Sequence, residues 1–358
     1  MRSAVLCGVI GVAFPGILLA GQSVPHRQLG AVTGTTNTEF TRIAGVRELS
    51  DGRVLVADAG SAQLFVVDFA AAASTTVGRN GSGPGEYRSV SSLFASGTDL
   101  TVMLDAGTRR WVLFKGDSIE STMPPPSWAA RGGLLAGADM GGRYLSIMHG
   151  QVATDSIVVL LLDPKAKHVD TLTRLGPAPA AVIMDQDATG KITQYIHWRP
   201  LLAVGEEVQL YPDGWLAVAR LEPYRVDWRT PDGTWVLGGA LPFSRQPVDA
   251  AERRAQLARM ERERGRTVPR ELQSNWLSHL PPFQLAPLIA LPDGRLAIRR
   301  IPTARDPRNR YDIVNRRGKL DESVELPPRE HIVGVGKRGA YVAHTDEDGI
   351  QKLKRVSW

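Results

Sequence analysis

The sequence predicts an all-β fold: a six-bladed β-propeller of four-stranded antiparallel blades, with one helical insertion. Three observations carry that expectation. The 358 residues include 36 Gly and 24 Pro, a share of backbone punctuators too high for long helical bundles or coiled coils, while 43% hydrophobic and 22% charged residues are ordinary for a chain with a large core. An ungapped shift of about 47 residues superimposes Glu39-Phe40 on Glu86-Tyr87, Asp58-Ala59-Gly60 on Asp105-Ala106-Gly107, and Leu64-Phe65-Val66-Val67 on Trp111-Val112-Leu113-Phe114. A shift of about 80 superimposes Pro212-Asp213-Gly214 on Pro292-Asp293-Gly294, Leu216-Ala217 on Leu296-Ala297 and Arg220 on Arg300.

Each repeat reads as short apolar strands separated by Gly-containing turns. In the first, residues 46–49 lead through Ser50-Asp51-Gly52-Arg53 into Val54-Leu55-Val56, and a break at Asp58-Ala59-Gly60 precedes 64–67. Asp-Gly between such runs is a hairpin signal because glycine tolerates the positive φ the turn requires. Equivalent turns stand at Gly97-Thr98-Asp99, Met140-Gly141-Gly142-Arg143, Pro212-Asp213-Gly214, Pro292-Asp293-Gly294 and Gly336-Lys337-Arg338-Gly339, which makes six units. Two of the intervals are long. Residues 177–204 read as an irregular polar insertion, and 245–279 hold the one helix. There Asp249 and Glu252 form a capping-box pattern, 250–260 are helix formers and Gly265 stops the run. Without these insertions every interval is about 45 residues, which fits radial repetition around an axis.

The run Gly78-Arg79-Asn80-Gly81-Ser82-Gly83-Pro84-Gly85-Glu86-Tyr87, an apolar strand, a Gly turn and then Met103-Leu104-Asp105-Ala106-Gly107 resemble the NHL-type repeat of six-bladed, TolB-like propellers. Residues 333–350 resemble the last blade of such proteins. The resemblance is sharp in the first two units, covers 26–358 as architecture, and implies ring closure by an N-terminal strand at about 27–32. It also implies that the ends of the second strands lie on the face where the central channel opens.

Counting six positions from the turn glycine selects Asp58, Arg220 and Arg300, with Asp105, His149 and His344 as slightly shifted counterparts. Grouped around one channel mouth, they form a candidate site for a small anionic or zwitterionic ligand or a protein partner. The competing reading of Asp58 and Asp105 is that they only cap their own Asp-Ala-Gly turns. A second function class uses the same His and Asp residues in a metal-assisted hydrolase or lyase with zinc or calcium on the channel axis, although no tight ligand spacing supports it. No cofactor is therefore predicted, and whether the chain is an enzyme stays open. Asp185-Gln186-Asp187-Ala188-Thr189-Gly190 looks like the start of a calcium loop but has Ile196 where the bidentate Glu belongs, and reads as a polar loop. Residues 78–85 lack Gly-Lys-Ser/Thr and precede a strand, so they read as an inter-blade loop and not a phosphate cradle. No Gly-x-Ser-x-Gly elbow supports a serine hydrolase. The helix carries Arg253, Arg254, Arg259, Arg262 and Arg264; it either covers the channel or meets a partner, or rests Ala251, Ala255 and Ala258 on the propeller beneath a solvated face.

The formal charge is +6, from 43 Lys and Arg against 37 Asp and Glu, and only 8 of the cations are Lys. Arginine is interspersed with acids along the chain and forms no basic stripe, which argues against nucleic acid. Residues 1–22 join Arg2 to an uncharged apolar run broken by Pro15, the pattern of a signal peptide too short for a comfortable membrane span. The single cysteine, Cys7, lies within it, so disulfides and thiolate chemistry are excluded from 23–358. The expectation is an exported, periplasmic or secreted bacterial monomer, with 23–358 forming one domain and no stable membrane span after cleavage.

Overall fold

A computed structural model describes residues 24–358 apart from 98, 125–132, 149–155, 165–166, 178–180, 187–191, 199 and 265–266. The signal-peptide segment 1–22, His149, Gly265 and most of the calcium-loop-like stretch lie outside the described residues.

Six four-stranded antiparallel sheets follow one another as propeller blades. Blade one is Ile43–Glu48, Val54–Asp58, Gln63–Asp68 and Ala73–Val77. Blade two is Leu93–Ser96, Leu100–Asp105, Arg110–Lys115 and Ser118–Met123. Blade three is Gly133–Ala138, Tyr144–Met148, Ile157–Asp163 and His168–Leu175. Blade four is Glu207–Leu210, Leu216–Leu221, Tyr224–Arg229 and Trp235–Val236. Blades five and six are Leu288–Ala290, Leu296–Arg299, Asn309–Val314 and Leu320–Leu326, then Glu330–Gly336, Gly339–Thr345 and Gln351–Val356. All six turn glycines, from Gly52 to Gly339, join a first strand to a second with positive φ.

A blade in the ring is covered on both faces, so an inner strand such as Val54–Asp58 is buried at every position instead of alternating, while the outermost strands, such as Ala73–Val77, are polar and largely exposed. Val54 and Val56 pack toward blade six with Tyr341 and Ala343, whereas Leu55 and Ala57 pack toward blade two with Met103 and Phe114. Six such clusters fill the six blade interfaces. The 78–85 loop joins blades one and two as expected, and the Tyr87 hydroxyl after it donates to Val77 O and accepts from Leu64 N.

Ring closure differs from the implied 27–32 strand. His26–Gln28 runs parallel to Leu320–Leu326 as a fifth strand on blade five, and Val32–Thr35 pairs with Gln351–Val356 as the outermost strand of blade six. Gly30 lies at the step between them, where its N–H donates to Ser357 O and a Cβ would stand 2.8 Å from that of Ser357. The close approach diverts the chain from one blade edge to the next.

The insertions also depart from the sequence reading. Residues 177–204, read as irregular, contain an antiparallel hairpin of Ala181–Gln186 and Ile192–Trp198; its β-branched and aromatic residues favour strands. The second insertion contains the helix Ala250–Arg264, and Asp249 Oδ1 accepts from Glu252 N at 2.8 Å. Glu252 does not close the capping box. Its carboxylate is buried, accepting from Gln256 Nε2 and Ala304 N. Leu201, Met260 and Val268 form a small separate core, and Leu201 N donates to Asn275 O, so the end of the first insertion is fastened to the second. Among the described residues no helix is long and apolar enough to cross a membrane.

Candidate functional site

The five described candidate residues all stand within one residue of the end of a second strand, and each is engaged locally. Asp58 Oδ1 accepts from Arg42 N (2.7 Å) and Gly60 N (3.0 Å), and Oδ2 from Thr41 N (2.9 Å) and Ser61 Oγ (2.8 Å). Burial alone raises its pKa, but these donors outweigh burial and hold the carboxyl below its ordinary value. Asp105 repeats the arrangement with Arg88 N, Ser89 N, Gly107 N and the Thr108 hydroxyl. Both are turn caps. Arg220 pairs with Asp227 and Glu206, each at 2.9 Å. Arg300 pairs with Asp312 at 2.7 Å and lies over the rings of Tyr224 and Phe243. His344 Nδ1 lies 3.1 Å from Glu330 Oε1, which also accepts from Lys354 Nζ at 2.6 Å.

A cavity of about 570 Å³ opens on this same face, and none of those five residues lines it. Ile43 and His331 contribute from the starts of the innermost strands of blades one and six. Arg299 and Asn309 come from blade five, and Arg259 and Glu263 from the inserted helix. The chamber therefore lies between the propeller face and the helix. Arg299 reaches it while its neighbour Arg300 turns to the blade-four aromatics, as adjacent residues of an extended chain do.

The helix does not rest on Ala251 or Ala258, and Ala255 is only half-buried. Ala251 and Ala258 are exposed, while Glu252, Gln256 and Met260 are buried. Two of these three residues, at helical spacing, are polar, which hid the buried stripe from hydrophobic periodicity. Gln256 Nε2 donates to Pro302 O at 2.7 Å, and Gln256 Oε1 accepts from Arg259 Nη2 at 2.5 Å. Arg259 Nη1 reaches Gln284 Oε1 at 3.2 Å. Arg299 donates from Nη2 and Nε to Asn309 Oδ1 at 2.8 and 3.1 Å. Both guanidiniums are thus held by neutral amide oxygens, and their side chains are only 14% and 12% exposed. Burial lowers the pKa of Arg259, and Glu263 opposes that shift.

Five arginines line the chamber, Arg42, Arg259, Arg262, Arg299 and Arg329, against one lining carboxylate, Glu263. Behind the wall, Glu252 sits under Gln256, and Glu347 lies 3.4 Å from Arg329. Burial, reinforced by the charge of Arg299, holds His331 down to a pKa of about 3, so its ring is neutral and adds no charge. Among the described residues no group of three or more His, Cys, Asp or Glu is placed to hold a metal. The sequence had singled out Arg259 and Arg262 only as members of an arginine-rich helix. Arg299 and His331 were missed; their signal was position, beside a selected arginine and at the start of the last blade.

No family model matches the chain, and no curated protein matches it. Solved structures do resemble it. One is a Bacteroides thetaiotaomicron protein of unknown function, with 11% identity over 93% of this chain and 75% of that one, at a TM-score of 0.45. Another is the virginiamycin B lyase of Staphylococcus aureus, with 11% identity over 92% of this chain and 98% of that one, at 0.44. A third is regucalcin, a calcium-binding protein of Agrobacterium tumefaciens, with 10% identity over 92% of this chain and 97% of that one, at 0.43. Similarity at this level leaves the ligand to be argued from the chain's own residues.

Proposed function

We propose that the protein is an exported propeller module that binds a small anionic ligand in the chamber beneath its inserted helix. The observation that carries this reading is the lining: five guanidiniums against one carboxylate around a cavity of about 570 Å³, a size suited to a small molecule. Guanidiniums fixed by Gln256, Gln284 and Asn309 are already oriented, so an anion would bind with little reorganisation. Export is supported by the basic start and apolar run of 1–22 and by the absence of cysteine beyond it.

The test is thermal unfolding of the wild type and Ala258→Trp, which fills the chamber from an exposed lining position, with a panel of small carboxylates, phosphates, amino acids and amines. Anionic compounds should raise the wild-type Tm and leave that of the variant unmoved. An equal rise in both proteins, or a rise with amines alone, would refute the chamber. For export, cell fractionation should find the full chain outside the cytoplasm and a chain lacking 1–22 within it.

A further inference from the structure

Glu263 is the one carboxylate of the lining, and its position specifies what a ligand would have to replace. Its Oε1 lies 3.9 Å from Arg259 Nη1 and 3.5 Å from Arg299 Nη2. Both distances exceed a good hydrogen bond, so it bridges the two guanidiniums loosely and without bidentate geometry. Its side chain is 46% exposed near the end of the helix, whereas those of the two arginines are nearly buried. A half-exposed carboxylate can swing into water at small cost, while the arginines are held by Gln256, Gln284 and Asn309.

Resting on the chamber reading, we infer that the ligand is a monocarboxylate with an apolar body, whose carboxylate displaces Glu263 from between Arg259 and Arg299. The exchange replaces one negative charge with another, so the two guanidiniums keep the partial compensation that Glu263 gives them, whereas an uncharged or cationic head would leave them uncompensated. A planar carboxylate also matches the guanidinium fork, which a ligand free of the helix backbone can engage more closely than Glu263 does. Part of the remaining lining suits an apolar body: Ile43, Pro302, Pro307, Pro328 and Leu285 line the cavity beside its polar residues, and Leu285 is 59% exposed. Glu263 thus acts as a built-in competitor for the site it helps to form.

Calorimetric titration of the full chain with octanoate, acetate, octyl phosphate and octylamine tests this. Octanoate should bind best, with acetate at least tenfold weaker for lack of a body. Glu263→Gln should tighten octanoate at least threefold, a gain that misfolding cannot produce, and Arg299→Gln should weaken it at least tenfold with the Tm little changed. Unchanged or weaker octanoate binding in Glu263→Gln overturns the displacement. Tighter octyl phosphate than octanoate, with both lost in Ala258→Trp, overturns the ligand class while the chamber stands. Octanoate binding that survives Ala258→Trp overturns the chamber and this inference together, and no octanoate binding even to Glu263→Gln overturns the inference.

Discussion

Blades one and two and blades five and six put different chemistry at the same structural position. In the first pair the second strand ends in Asp58 or Asp105, and each carboxylate turns back on its own loop: Thr41, Arg42, Gly60 and Ser61 in one, Arg88, Ser89, Gly107 and Thr108 in the other. In the second pair that strand end carries Arg299 and Arg300 or His344 and Thr345, and Arg299 and Thr345 line the chamber. Where the repeat is regular, its polar groups are consumed in closing the blade. Where it breaks down, and the inserted helix lies above, polar groups are left facing a cavity.

The largest effect expected from this contrast is on stability. Asp58→Ala and Asp105→Ala each strip a buried carboxylate from four or more donors and should cost about 3 kcal/mol in urea unfolding, and Asp105→Ala, none of whose partners lines the chamber, should do so without altering ligand affinity there. A loss of affinity in Asp105→Ala would break the division between the two halves.

The next effect is acid sensitivity, and the two halves should show it in different pH ranges. The folded-state pKa of His331 is depressed from 6.5 to about 3, so between those values the unfolded chain holds a proton that the folded chain lacks. Stability therefore falls with pH in that window, by about 2 kcal/mol from pH 6.5 to 5 for this one group, and His331→Gln should remove that loss. The carboxyls of Asp58 and Asp105 are also depressed, but from a lower starting value. They stabilise the fold above their unfolded pKa, and that contribution is lost only as pH falls further, through their folded values. A stability curve that is flat from pH 6.5 to 5 and unaffected by His331→Gln would show that the ring is open to solvent.

The smallest effect is local. Asp249→Ala removes the side-chain acceptor for Glu252 N and should cost about 1 kcal/mol, read as faster hydrogen exchange at the first turn of the helix with no change in the blade cores.

Much of the fold was legible because its signals are local. The six glycine turns need only neighbouring residues, and the shift of about 47 residues that aligns Asp58 with Asp105 also aligns Arg42 with Ser89 and Ser61 with Thr108, so even the donors repeat. The turn-capping role of both aspartates is therefore legible in the Asp-Ala-Gly motif itself. The closing strand was misplaced because Gly30, where the chain changes blades, is defined by its contact with Ser357, at the far end of the chain. The helix was legible, but Ala251, Ala255 and Ala258 stood as one reading of the face it buries, because apolar periodicity is blind to the polar Glu252 and Gln256 that are buried instead.

The sequence by itself determined the blade count, the turn positions, the presence of the helix and the capping pattern of the first two blades, since each rests on spacing and on interactions within one repeat. Only the tertiary structure decided that Arg259, Glu263, Arg299 and His331 share a chamber, since they come from the helix, blade five and blade six. Their proximity follows from ring closure and from the polar docking of Gln256 on Pro302, and neither leaves a periodic trace in the chain.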